Sequence, residues 1–188
     1  MTRFARLPLC ALVLIAATAS PGRSQPAAPT PELEELAWLV GSPWVGTVGT
    51  GENAATDVSV WSWAVGGHVL RNVHAVAEGA YGGETLLWWD AESEAYAFVY
   101  VTTGGFSTSG HLRLDEDGSL EGVEEVRGAG VAAGVDAVRS VTRRGAAGEL
   151  IVGVAYQRDG AWGPLSERVY VRSDDARLPC GLDPACDG

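Results

Sequence analysis

From Trp44 to Arg172 the chain is interrupted by turn-forming residues roughly every 10–13 positions, a spacing that leaves room for short strands and little else. The punctuation is dense: Gly66-Gly67, Gly82-Gly83, Asp90-Ala91-Glu92-Ser93, Gly104-Gly105, Asp115-Glu116-Asp117-Gly118, Gly145 to Gly148, and Asp159-Gly160. Between these signals lie runs rich in Val, Trp, Tyr and Thr. They predict strands over 44–50, 56–65, 68–77, 84–89, 96–103, 106–114, 119–127, 135–143, 149–157 and 165–172. Consecutive strands joined by tight turns form an antiparallel meander. Exposed sheet edges invite aggregation, so a meander of about ten strands is expected to close on itself as an all-β barrel. The Val58-Ser59-Val60-Trp61-Ser62-Trp63 and Leu86-Leu87-Trp88-Trp89 runs are apolar on both faces. Such runs fit a barrel with an apolar lumen and a partly covered outside.

One helix is predicted ahead of the strands. Thr30 is placed as its N-cap, Pro31 as its first residue and Gly41 as its stop. Leu33, Leu36, Ala37 and Val40 fall at helical spacing, so residues 32–40 present an apolar face that can plug one end of the barrel.

The N-terminus has the form of a secretory signal peptide. Arg3 and Arg6 precede an apolar run from Leu7 to Ala17, followed by Ala17-Thr18-Ala19. That run is short of the about 20 apolar residues that span a bilayer. The reading is an exported chain, periplasmic or secreted, cleaved between Ala19 and Gln25. Residues 1–24 are assigned to signal peptide and leader, and 25–31 to a flexible Pro/Ala leader. Residues 32–173 form one barrel domain and 174–188 a tail. Cys180 and Cys186 are left after cleavage, and an oxidising compartment favours their pairing as a disulfide that pins the tail.

The chain has no Lys, and its 13 Arg stand against 24 acidic residues for a net charge of -11. An acidic chain is a poor partner for nucleic acid, where basic residues must neutralise phosphate. A P-loop is excluded because its phosphate-binding Lys is missing.

The stretch Leu36-Ala37-Trp38-Leu39-Val40-Gly41-Ser42-Pro43-Trp44-Val45-Gly46 resembles the opening of calycin barrels, where a short helix leads into a Gly-x-Trp first strand. Here two residues separate Gly41 from Trp44. More specifically, the chain is similar to a bacterial family of lipocalin-like proteins known only as a domain of unknown function. The shared features are Gly66-Gly67 after the second strand, Asp90 followed by Tyr96, and a closing strand with Glu167, Tyr170 and Arg172. The resemblance implies a lipocalin-like barrel and, for function, a ligand pocket. A related set of ten-stranded barrels holds haem through a His near the C-terminus. The last His here is His111, so neither haem nor another cofactor is expected.

No catalytic constellation is predicted. His68 and His74 share a strand face, but six residues of strand separate them by about 20 Å, too far for one metal ion. Glu121 and Glu125 share a face opposite Arg139, Arg143 and Arg144, an arrangement suited to cross-strand ion pairs; a buried Glu in this run could instead serve as a general acid. Gly105-Phe106-Ser107-Thr108-Ser109-Gly110 misses the nucleophile-elbow spacing. Gly128-Ala129-Gly130-Val131-Ala132-Ala133 is read as a flexible loop because another strand pattern follows it.

The aromatic residues carry the functional reading. Trp61, Trp63, Trp88, Tyr100 and Tyr156 are candidates to line a pocket, with His74, Arg139 and Glu167 as polar partners. The leading expectation is a barrel that binds a small hydrophobic or amphipathic ligand without catalysis. The alternatives are an isomerase, cyclase or hydratase in the same barrel, or an envelope interaction module.

Overall fold

The computed structural model describes residues 28–183. The expected signal peptide, its cleavage site and Cys186 lie outside the described residues, and so does the pairing expected of Cys180. Among the described residues the strands are β1 (Trp44–Val48), β2 (Ala55–Ala64), β3 (Val69–Val76), β4 (Tyr81–Asp90), β5 (Ala95–Thr102) and β6 (Phe106–Leu114). They continue with β7 (Leu120–Gly128), β8 (Ala137–Arg144), β9 (Leu150–Arg158), β10 (Ala161–Trp162) and β11 (Ser166–Arg172).

Each strand pairs antiparallel with the next from β1 to β9, and β11 closes the ring by pairing with both β9 and β1. The result is a closed meander barrel of ten strands. The two-residue β10 extends β9 beyond β11. Pro164 stands between β10 and β11, where it has no N–H to give to the ladder, so one pairing edge is split in two.

The expected helix of residues 32–40 is shorter than its pattern predicts. α1 (Pro31–Glu34) makes a single turn, a 3-10 turn follows over Ala37–Leu39, and the Thr30 hydroxyl makes no capping bond. The buried residues are Leu33, Leu36 and Leu39, a period of three, while Ala37 is exposed. Side chains three apart eclipse in 3-10 geometry, so this repeat places all three leucines on one side of a tight turn. They pack against Trp44, Leu70, Leu87, Tyr96, Leu112 and Leu150 and close one end of the barrel. The plug is tied by hydrogen bonds as well. Trp44 Nε1 donates to Leu39 O at 2.8 Å and Tyr96 Oη to Glu32 O at 2.7 Å. The Arg172 guanidinium donates to the carbonyls of Trp38, Val40 and Ser42 and sits 3.9 Å above the Trp44 ring. The described part of the leader continues this contact, with Thr30 N–H donating to Gly67 O at 3.2 Å.

In β2 and β3 the usual distribution of polarity is inverted. Asp57, Ser59, Asn72 and His74 face the lumen, whereas Val58, Val60, Val73 and Ala75 face outward. The outward group is covered by the C-terminal tail, whose Leu178 is buried against Val73 and Ala75 beside Leu182. Gly82 makes room for this strap: a Cβ there would lie 2.5 Å from Leu182 Cδ1. The stretch 128–133, expected to be a loop, contains one helical turn, α2 (Ala129–Ala132), started by Gly128 at φ 67°.

Candidate functional site

Inside the barrel, above the plug, lies a cavity of about 490 Å³. That falls within the ordinary range for small-molecule sites, about 300–1,000 Å³. Its floor is apolar, built from Leu87, Phe98, Leu112, Leu120 and Leu150. The mouth is at the opposite end of the strands, where Tyr81 and Tyr156 are exposed.

One wall is polar, and its groups form a continuous chain across β2, β3, β4, β5 and β11. Tyr170 Oη donates to Asp57 Oδ2 at 2.8 Å, and His74 Nδ1 lies 3.1 Å from Asp57 Oδ1. His74 Nε2 is 2.8 Å from Tyr100 Oη, which in turn is 3.3 Å from Tyr81 Oη. A carboxylate only accepts, which assigns the proton facing Asp57 to His74 Nδ1. Nearby, Asn72 Nδ2 donates to Ser59 Oγ at 2.6 Å.

Burial holds the Tyr100 and Tyr170 hydroxyls in their neutral form by pushing their pKa values up; the neighbouring Tyr81 adds to the effect at Tyr100, and Asp57 adds to it at Tyr170. Glu124, on β7 with 8% exposure, lines the cavity too. Burial raises its pKa, and the nearby Ser140 and Thr108 hydroxyls partly offset that rise. Arg168 is the guanidinium of the cavity wall among the described residues, and its charge partly offsets the rise at Tyr170.

Of the residues proposed from sequence, Trp61, His74, Tyr100 and Tyr156 come together around this cavity. Trp63 faces the same side as Trp61 but packs into the apolar cluster at the plugged end. Three others lie elsewhere. Trp88 points out of the barrel and is 38% exposed, leaving its neighbour Trp89 to pack inside against Tyr96. Arg139 pairs with Glu121 at 3.0 Å and Glu167 with Arg143 at 3.0 Å, both on the outer surface. Strand parity explains these placements: Arg139 alternates with the inward Val138 and Ser140, and Glu167 with the inward Arg168.

The Glu121–Arg139 contact is one of the cross-strand ion pairs expected there, whereas Glu124, between Glu121 and Glu125, turns inward. His68 does not share a strand face with His74; it lies in the turn before β3. His111 is outside, 3.2 Å from Asp90. Among the described residues no group of three His, Cys, Asp or Glu is arranged to hold a metal ion. Asp57, Tyr81 and Arg168 were not singled out in the sequence. The available signal was their parity with His74, Tyr100 and Tyr170 on strands whose inward face only the closed register defines.

These features define a class: a ten-stranded antiparallel meander barrel, plugged at one end and holding a cavity with one polar wall. No family model matches the chain, and no curated protein matches it. Among solved structures it is similar to the crystal structure of Rv2717c from M. tuberculosis. The TM-score is 0.56 at 19% sequence identity, covering 77% of this chain and 99% of that chain. The two share the barrel fold.

Proposed function

We propose that this chain is an exported, lipocalin-like barrel that binds a small hydrophobic or amphipathic molecule in its cavity. The observation that carries the reading is the one-ended cavity of about 490 Å³, with an apolar floor and a polar wall along one side. This combination suits a ligand with an apolar body and a few fixed polar atoms. Export rests on the N-terminal pattern ending in Ala17-Thr18-Ala19, and the tail is held by a Cys180–Cys186 disulfide in that compartment. N-terminal sequencing of the protein recovered outside the cytoplasm is expected to start between Ser20 and Pro26.

A panel of lipids and terpenoids titrated against the purified protein tests the binding. Members that fit are expected to change Trp fluorescence and raise the melting temperature, because a ligand bound to the folded state stabilises it. In Trp61→Phe the fluorescence change shrinks while the thermal shift persists. A panel that moves neither signal overturns the reading.

A second reading has its own observation. The Tyr100 hydroxyl bears on His74, which bears on Asp57, the arrangement by which a base is oriented and its proton held, and Glu124 adds a buried acid. On this reading the barrel is an isomerase, cyclase or hydratase. Its test is solvent-deuterium exchange into a bound enolisable ketone, lost in Tyr100→Phe; absence of exchange in the wild type removes it.

A further inference from the structure

The cavity wall carries two carboxyl groups, Asp57 and Glu124, against one guanidinium, Arg168. Tyr170 donates to Asp57 at 2.8 Å. The second donor onto Asp57 is His74 Nδ1 at 3.1 Å. Two donors that would receive a carboxylate or phosphate ligand are thus already engaged by a carboxylate of the protein itself, and the wall holds more carboxyl groups than guanidinium groups. A ligand acid group brought into the same low-dielectric space would meet the Asp57 carboxylate as a like charge. The remaining wall groups hydrogen-bond without charge: Ser59, Asn72, Thr85, Ser140 and Thr142. The indole N–H of Trp61, also in the wall, is buried and has no acceptor among the described residues.

We infer that the cavity takes an uncharged ligand, an apolar body carrying a hydroxyl or carbonyl oxygen, and discriminates against the corresponding carboxylate. This rests on the binding reading above and gives that site its ligand class. Asp57 acts as a resident anion that occupies the place a ligand's acid group would need.

The test uses matched pairs, 1-dodecanol against dodecanoate and farnesol against farnesoate, titrated calorimetrically into the full mature chain at neutral pH. The alcohol of each pair is expected to bind at least about tenfold more tightly than the acid. If no member of either pair binds, the binding reading fails and takes this inference with it. Acids that bind as well as or better than the alcohols overturn the inference alone and leave the binding reading in place.

Asp57→Asn separates the mechanism from simple hydrophobicity. Removing the resident carboxylate takes a negative charge out of the wall beside Arg168, so affinity for dodecanoate is expected to rise about tenfold. Asp57→Ser removes the same carboxylate with a smaller side chain, and a rise in the same direction is expected there if Asp57→Asn does not fold. A folded variant of either kind with no gain for the acid overturns the inference.

Discussion

Gly46 is the residue on which the site's geometry most directly depends. The Tyr170 ring lies flat against its backbone, and a Cβ at Gly46 would come within 2.6 Å of Tyr170 Cδ1. Gly46→Ala therefore has to displace the ring that delivers a hydroxyl to Asp57. A loss of about 1–3 kcal/mol in urea denaturation is expected for such overpacking; an unchanged midpoint would mean that the ring contact does not constrain the wall. Glu124 makes a prediction with a sign. Its pKa in the folded protein is raised by burial, so the folded state holds the proton more tightly than the unfolded chain. The resulting stability is fully present below the unfolded carboxyl range and is lost as pH rises through the folded value. The stability difference between Glu124→Gln and the wild type should thus shift in favour of the variant as pH rises from acid to neutral, read from denaturation curves at a series of pH values. A difference that stays flat with pH contradicts the assignment. Arg139 and Glu167, which looked like cavity partners in the sequence, belong to exposed pairs. Replacing either by Ala is expected to cost under about 1 kcal/mol and to leave ligand affinity unchanged. A large loss of affinity in either variant would place it back in the site.

At the scale of elements, the plug and the strands were not equally legible. The strands follow from alternation and turn residues: the Asp115 hairpin, for example, is closed by Asp115 Oδ1 accepting from the backbone N–H of Asp117 and Ser119, with Gly118 at φ 77°. Such local chemistry is written in consecutive residues. The plug was harder to read because Leu33, Leu36, Ala37, Leu39 and Val40 satisfy two periods at once, and packing on the barrel end selects the period of three. Leu36→Ala should remove the middle leucine of that repeat at a cost of about 2–5 kcal/mol, measured by thermal or chemical unfolding; a cost well below this would show that the 3-10 turn is not a structural closure. Which strand face is inward was the least legible feature. Val58, Val60, Val73 and Ala75 look like core positions; Val73 and Ala75 are buried and Val58 and Val60 half-buried, but on the outside beneath the tail. The polar residues alternating with them, Asp57 and His74, fall to the lumen. Sequence periodicity records burial and is silent on which side of a sheet supplies the cover.

Across the whole molecule, the polar wall exists only because the ring closes. Asp57, His74, Tyr81 and Tyr100 sit on four successive strands, yet Tyr170 joins them from the last strand, 113 positions after Asp57. No motif spacing can announce such a contact; the pairing of β1 with β11 creates it. The same closure leaves the cavity open at the end opposite the plug, beside Tyr81 and Tyr156. The central claim is that this space is a ligand site and not an unfilled core. A crystal structure of the mature protein soaked with farnesol tests it most directly. The account predicts density inside the barrel, in contact with Trp61 and the Asp57–His74–Tyr100 wall, with the plug unmoved. A barrel whose side chains fill the cavity, or farnesol bound only on the outer surface, would contradict it.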